Sequence, residues 1–292
     1  MRQPAYLWGV VMVATAGALW SLIGVVIKLL EDMDTWQVLF WRSAGMIPVL
    51  AAFVLWRNGS LTRGISPVVV SGALGLIAAF GGGILAIQSL PLANAVFLFS
   101  ASPFLTALLG RVLLGEKVRP LTWAAIAIAG LGIWRMIGGS TFGAGALTGH
   151  LAALGSALGF AVFTVALRAG KGGEMLPTVI LGAVFSMIVS AAILSMQSAP
   201  LLARPADIAT ALMMGAALLG LGMTLYTIGS RVVPAGELAL LSQVEVMLAP
   251  IWGWLILSEM PAPATLQGGA LILCALLLNA LTGAHARRTQ MA

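Results

Sequence analysis

Polar and apolar positions along this chain do not alternate. Runs of roughly 20 apolar residues, the length a helix needs to cross the hydrocarbon core, are separated by short stretches holding charge, Pro or Gly. Ten such runs predict ten helices, at approximately 7–29, 36–56, 66–88, 92–114, 121–138, 147–168, 176–196, 207–230, 236–257 and 264–282. Barrel strands would be shorter and strictly alternating, whereas these runs are continuously apolar and rich in Leu, Ala and Gly, so the expectation is an all-α membrane protein. The first run follows a lone Arg2 and exceeds a signal-peptide core, which predicts a retained span.

Composition agrees with the pattern. Sixty per cent of residues are hydrophobic and 8% charged, against about 25% charged in soluble domains. No polar stretch is long enough for a separate domain, so residues 1–292 form one transmembrane domain. The formal charge of +6 would point to nucleic acid in a soluble protein. Here it marks orientation, because Lys and Arg concentrate on the cytoplasmic side of membranes. With a cytoplasmic amino terminus, Arg2, Arg57, Arg63, Arg111, Lys117, Arg119, Arg168, Lys171, Arg231, Arg287 and Arg288 fall on one side. Lys28, Arg135 and Arg204 fall on the other, with Arg42 inside span two near that side and the acidic residues Glu31, Asp32 and Asp34 nearby. Both termini are therefore expected in the cytoplasm. Cys274 lies in an apolar run, where packing is its expected role.

Displacing the chain against itself by 143 positions pairs Pro91 with Pro234, Gly110 with Gly253, Leu114 with Leu257, Glu116 with Glu259 and Pro120 with Pro263. That register divides the chain into two five-helix halves, 1–140 and 141–292. Because five is odd, the second half is expected upside down relative to the first, the recurrent build of secondary transporters with a midplane site.

The segments "ANAVFLFSASPFLTALLGRVLLGEKVRPLTWAAIAIAGLGI" and "GELALLSQVEVMLAPIWGWLILSEMPAPATLQGGALILCALLL", with "ALWSLIGVVIK", "FWRSAG" and "SALGFAVFTVALR", resemble the EamA-type ten-helix exporters of the drug/metabolite transporter superfamily. The resemblance covers essentially the whole chain. It implies ten helices around a central cavity, export of small metabolites, often amino acids, and the bacterial cytoplasmic membrane. One departure concerns the central proline: Pro103 fits the first copy, but its equivalent in the second is Val246, with Pro250 one turn later.

The chain has no G-x-x-x-x-G-K-[ST], H-E-x-x-H or G-x-S-x-G, and His150 and His285 are too few and too far apart for a His-rich metal site, so neither ATP use nor an enzyme is expected. No cofactor is called for. The predicted partners are a small-molecule substrate, lipid and, as a coupling ion, the proton; a monomer suffices.

Glu245 stands about 13 Å into span nine, counting 1.5 Å per residue from position 236. A carboxylate at mid-helix costs about 2.5–3.5 kcal/mol on insertion scales and usually faces a cavity. A substrate ammonium and a proton compete for such a group, which is the minimal chemistry of an antiporter. A neutral acid bonded to a neighbouring helix, an ion pair with Arg42 or Arg111, a shifted register or a purely structural link between helices would account for it equally. Gln243 lies about 200° away around the helix, whereas Ser242 shares the Glu245 face. The repeat register sets Ser102 opposite Glu245 and Ser100 opposite Gln243, and Asn94 lies on the same span. Trp20 and Ser21 sit at mid-span, and Phe80, Phe97, Phe99, Phe163 and Tyr226 are candidates for an aromatic wall that would also suit cations. Packing explains each of these aromatics as well. Phosphate-bearing substrates are disfavoured, because Arg42 and Arg111 are placed within snorkelling reach of opposite surfaces. The expectation is an exporter of small amphipathic metabolites, amino acids foremost. Export of cationic drugs or quaternary amines, and an uncoupled facilitator, are the alternatives.

Single-cysteine variants Lys117→Cys and Arg204→Cys in a Cys274→Ser background test the orientation. A membrane-impermeant maleimide applied to intact cells is expected to label position 204 and not position 117.

Overall fold

The computed structural model describes residues 2–30, 32–58, 60, 65–139, 144–170, 175–233, 241 and 243–291. All regular structure among these residues is helical. Helix α1 runs Arg2–Ser21 and continues after one residue as Ile23–Leu29; α2 is Thr35–Asn58; α3 is Pro67–Ser89; α4 is Leu92–Phe99 continued by Ser102–Leu114; α5 is Pro120–Gly138. Then follow α6 (Ala144–Ala169), α7 (Met175–Met196), α8 (Pro205–Met213, a π-helical stretch Met214–Gly220, and Leu221–Gly229), α9 (Gln243–Leu257) and α10 (Pro263–Met291). Nine of these are long and apolar enough to cross a membrane, and the tenth, α9, carries a shorter apolar segment, Val244–Leu257. The nine spans end within two residues of the positions that hydrophobicity predicts. Pro234 and Ser242 lie outside the described residues.

The interruptions have local causes. Pro103 has no N–H to offer the Phe99 carbonyl, and α4 breaks at Ser100–Ala101. In α9, Pro250 lies inside the helix and removes the N–H that would bond to the Val246 carbonyl, beside Glu245. The second proline thus loosens its helix one turn later in the repeat register, yet the helix continues. Near the break in α1, the Ser21 hydroxyl bonds back to the Ala18 carbonyl at 2.7 Å, the local competition that short polar side chains offer to helical bonding.

Packing runs mainly between the halves. Helix α1 packs on α8 and α9, α6 on α3 and α4, α2 on α7 and α8, α3 on α7, α4 on α9, and α5 on α10. Replacing every helix by the one five later returns the same set of pairs. Several crossings are as close as backbones allow: a methyl carbon on Gly75 would come within 2.7 Å of the Gly159 carbonyl oxygen, and one on Gly132 within 2.6 Å of that of Gly268. In the π-helical stretch of α8, a Cβ on Gly215 would overlap the Arg42 carbonyl oxygen of α2. Large apolar side chains such as Leu7, Val112 and Ile188 face outward, where lipid meets them, and Cys274 is also exposed and not in the packed face.

Helices α4 and α9 end alike. Glu116 N–H bonds to the Gly110 carbonyl at 3.1 Å and Glu259 N–H to the Gly253 carbonyl at 3.0 Å, positions 143 apart. The turn in each needs a left-handed residue, Gly115 at φ +68° and Ser258 at φ +56°. Glycine takes that conformation freely, whereas serine bears the clash of its Cβ with the carbonyl. Ser258→Gly is therefore expected to stabilise the protein by about 0.5–1 kcal/mol, read as a raised unfolding midpoint in detergent.

Candidate functional site

The structure sorts the sequence candidates into separate neighbourhoods. The first lies where α1, α8 and α9 meet. Gly17 lets α9 approach closely: a Cβ there would stand 3.3 Å from the Val244 Cβ and 3.6 Å from the Glu245 backbone nitrogen. Glu245 is thereby fixed opposite α1, one turn from Ser21. Ser21 is buried and accepts a hydrogen bond from the Trp252 indole N–H at 2.9 Å. Trp252 lies two turns beyond Glu245 on the same helix face. Trp20, next in line on α1, turns to α8, where its ring lies 5.4 Å from that of Tyr226 at a 40° tilt and covers Gly222. The buried Trp20 Nε1 has no hydrogen-bond partner. Ser242 and the side chain of Gln243 lie outside the described residues.

The α4 candidates do other work. The Asn94 Oδ1 accepts the Thr265 hydroxyl of α10 at 2.6 Å, and Phe97 packs onto Gly269 of the same helix. The Ser100 hydroxyl bonds to the Phe97 carbonyl at 2.6 Å. The Ser102 carbonyl accepts from the Thr106 hydroxyl at 2.8 Å. Phe99 approaches Gly83 of α3. Phe163 is buried beside Gly72 at the α3–α6 contact, its ring 5.5 Å from that of Phe160. Asn94, Phe97 and Phe163 thus join helices to one another.

Phe80 leads to a residue that hydrophobic patterning placed wrongly. Arg42 does not snorkel to a surface. It is 4% exposed, its guanidinium carbon lies 4.6 Å from the centre of the Phe80 ring, and its Nε and Nη2 atoms have no hydrogen-bond partner. The signal was present in the sequence: Arg42 is seven residues beyond the start of α2 at Thr35, about 10 Å along the axis. What the sequence lacked was the wall of α3 and α8 around it. Burying a cation costs several kcal/mol, and a desolvated cation–π contact returns about 2 kcal/mol. Arg111, by contrast, is exposed and lies over Trp123 at 5.8 Å.

Two ion pairs fasten the halves. Glu259 holds Lys28 of α1 at 3.0 Å through one oxygen and accepts the Leu92 N–H of α4 at 2.6 Å through the other. Glu116 holds Arg168 of α6 at 2.9 Å. The two acids are equivalent in the repeat register, and each joins the end of the fourth helix of one half to a base near the end of the first helix of the other, the bases differing in register by three residues. Among the described residues, no group of three His, Cys, Asp or Glu side chains could hold a metal ion.

Residues 7–138 and 147–281 match the profile of the EamA-like transporter family, once in each half. The chain belongs to this family. It is 26% identical over 283 residues to the pseudopaline exporter CntI of Pseudomonas aeruginosa, a match spanning 91% of this chain and 94% of that protein. It is 28% identical over 136 residues to an uncharacterized transporter of the same organism, spanning 44% of this chain and 46% of the relative, less than half of its length. A solved crystal structure superposes with a TM-score of 0.64 over 99% of both chains at 23% identity, which shows a shared fold. This EamA-like transporter is thus a multi-pass integral membrane protein.

A double-mutant cycle on Lys28→Met and Glu259→Gln is expected to give a coupling of about 1 kcal/mol, measured by thermal unfolding in detergent. The figure is modest because 20% of the Lys28 side chain and 26% of the Glu259 side chain remain exposed.

Proposed function

We propose that this protein is a secondary transporter that exports small amphipathic metabolites, amino acids foremost, including aromatic and bulky ones, across the cytoplasmic membrane. It works by alternating access between two inverted five-helix halves, with both termini cytoplasmic. The observation that carries this is Glu245, a carboxylate in an otherwise apolar membrane helix, its backbone held against Gly17 of α1 and its position on the face of Trp252, which bonds to Ser21. A carboxylate so placed exchanges a proton for a substrate ammonium, and one face of α9 offers it both charge and an indole. Transport in this family and the exporter to which the chain is similar along nearly all its length support the direction. Support for the inverted halves comes from helix pairs that survive exchange of the two repeats, from the matched ends of α4 and α9, and from a family match in each half.

A second reading, export of cationic drugs or quaternary amines, is favoured by the Trp20–Tyr226 ring pair, because aromatic faces attract desolvated cations.

A panel of radiolabelled amino acids and cationic dyes in proteoliposomes, with and without a pH gradient, separates these readings. An acid lumen is expected to drive amino-acid accumulation. Glu245→Gln should lower that driven flux roughly tenfold or more, by removing a charge-assisted contact. Unchanged downhill flux with no response to pH would identify a facilitator, and flux of dyes alone would leave the amine reading.

A further inference from the structure

From the surroundings of Arg42 we infer that its guanidinium is the anchor for a carboxylate on the transported molecule. This inference rests on the proposed transport reading and narrows its substrate to carboxylate-bearing solutes.

Arg42 is held in place from behind. Gly45 of α2 meets the Leu212 backbone of α8 so closely that a Cβ would overlap it, and Gly215 of α8 meets the Arg42 carbonyl in the same way. Two backbone contacts therefore clamp the helix at Arg42 and within one turn beyond it. The widened π-helical turn of α8 begins at Met214, beside the clamp, and single π-helical turns recur at functional positions in helices. The side chain crosses to α3 and lies over the Phe80 ring. A cation over an aromatic face uses the plane of the guanidinium and leaves its in-plane N–H groups free. Nε and Nη2 are in fact without partners while fully buried. They belong to the N–H edge that grips a carboxylate in a forked pair.

Among the described residues, no acid pairs with this group. Ion pairs among the described residues join Lys28, Arg168 and Arg204 to acids, and none includes Arg42. Glu245 belongs to another contact, against α1. A buried charge without a counter-charge is the arrangement that proteins avoid unless a ligand completes it. A structural arginine would be expected to find carbonyl or carboxylate acceptors for its N–H groups. Arg42 also removes the objection to anionic solutes that rested on an interior without cations.

The test is equilibrium binding to the purified full-length protein in detergent. The probes are radiolabelled L-phenylalanine and 3-phenylpropionate, with phenylalaninamide as the competitor that keeps the ammonium and loses the carboxylate. The wild type is expected to favour phenylalanine over its amide by roughly ten- to a hundredfold, the range for a charge-assisted hydrogen-bonded pair. Arg42→Met should abolish that preference and Arg42→Lys reduce it, because an ammonium lacks the fork. A purely structural Arg42 would instead lower the affinity for acid and amide together. Equal binding of phenylalanine and its amide by the wild type would overturn the inference and leave amino-acid export standing. Arg42-dependent binding of 3-phenylpropionate without phenylalanine would do the reverse. If neither acid binds, both fall. Should Arg42→Met fail to fold, the wild-type comparison of acid with amide and the Arg42→Lys variant decide the matter.

Discussion

Close contact between helix backbones is the interaction on which this structure depends. Lipid tails are as apolar as leucine, so helices in a membrane gain little by hiding apolar side chains from their surroundings and associate through intimate van der Waals contact. Here that contact is made where glycine faces glycine or bare backbone: Gly75 on Gly159, Gly132 on Gly268, and Gly45 and Gly215 between α2 and α8. All these crossings join one half of the chain to the other. Neither half has such an interface of its own among these, so the halves are committed to each other.

Those crossings also place the charged groups. Gly17 brings α9 against α1, with the Glu245 backbone opposite it and Trp252 bonded to Ser21 one turn further along α1. Gly45 and Gly215 hold α2 against α8, and Arg42 lies across to Phe80 of α3. In water the two charges would be unremarkable. In a bundle that excludes water each is expensive, because desolvation is not offset by an ion pair. The ends of the bundle follow another logic. Lys28–Glu259 and Arg168–Glu116 are partly exposed pairs that join one half to the other.

Symmetry and its breaking are both visible. The turns after α4 and α9 are both left-handed, at φ +68° and +56°, yet one uses glycine and the other serine. Helix α4 breaks just before Pro103, while α9 remains helical through Pro250. The half that holds Glu245 also has the π-helical stretch of α8, whose counterpart α3 is a continuous helix. A duplicated scaffold has thus acquired one acidic position in one half and one buried cation in the other.

Most of the architecture was legible in the sequence. The cost of exposing backbone polar groups to lipid forces long apolar runs into helices, so hydrophobicity located nine spans to within two residues. The spacing of Gly110, Glu116, Gly253 and Glu259 marked two equivalent helix ends before any coordinates were needed. Glu245 stood out because a charge in an apolar run is visible in one dimension. Arg42 did not, for depth along a helix says nothing of which neighbours close over it, and an arginine near a span end reads as a snorkelling one. Equally, Asn94, Phe97 and Phe163 share composition and depth with any cavity lining, and only the positions of Thr265, Gly269 and Gly72 turned them into contacts between helices. Local chemistry determines where each helix lies and ends; only the packed arrangement decides which charges are left without partners, because a partner is a matter of distance in space and not along the chain.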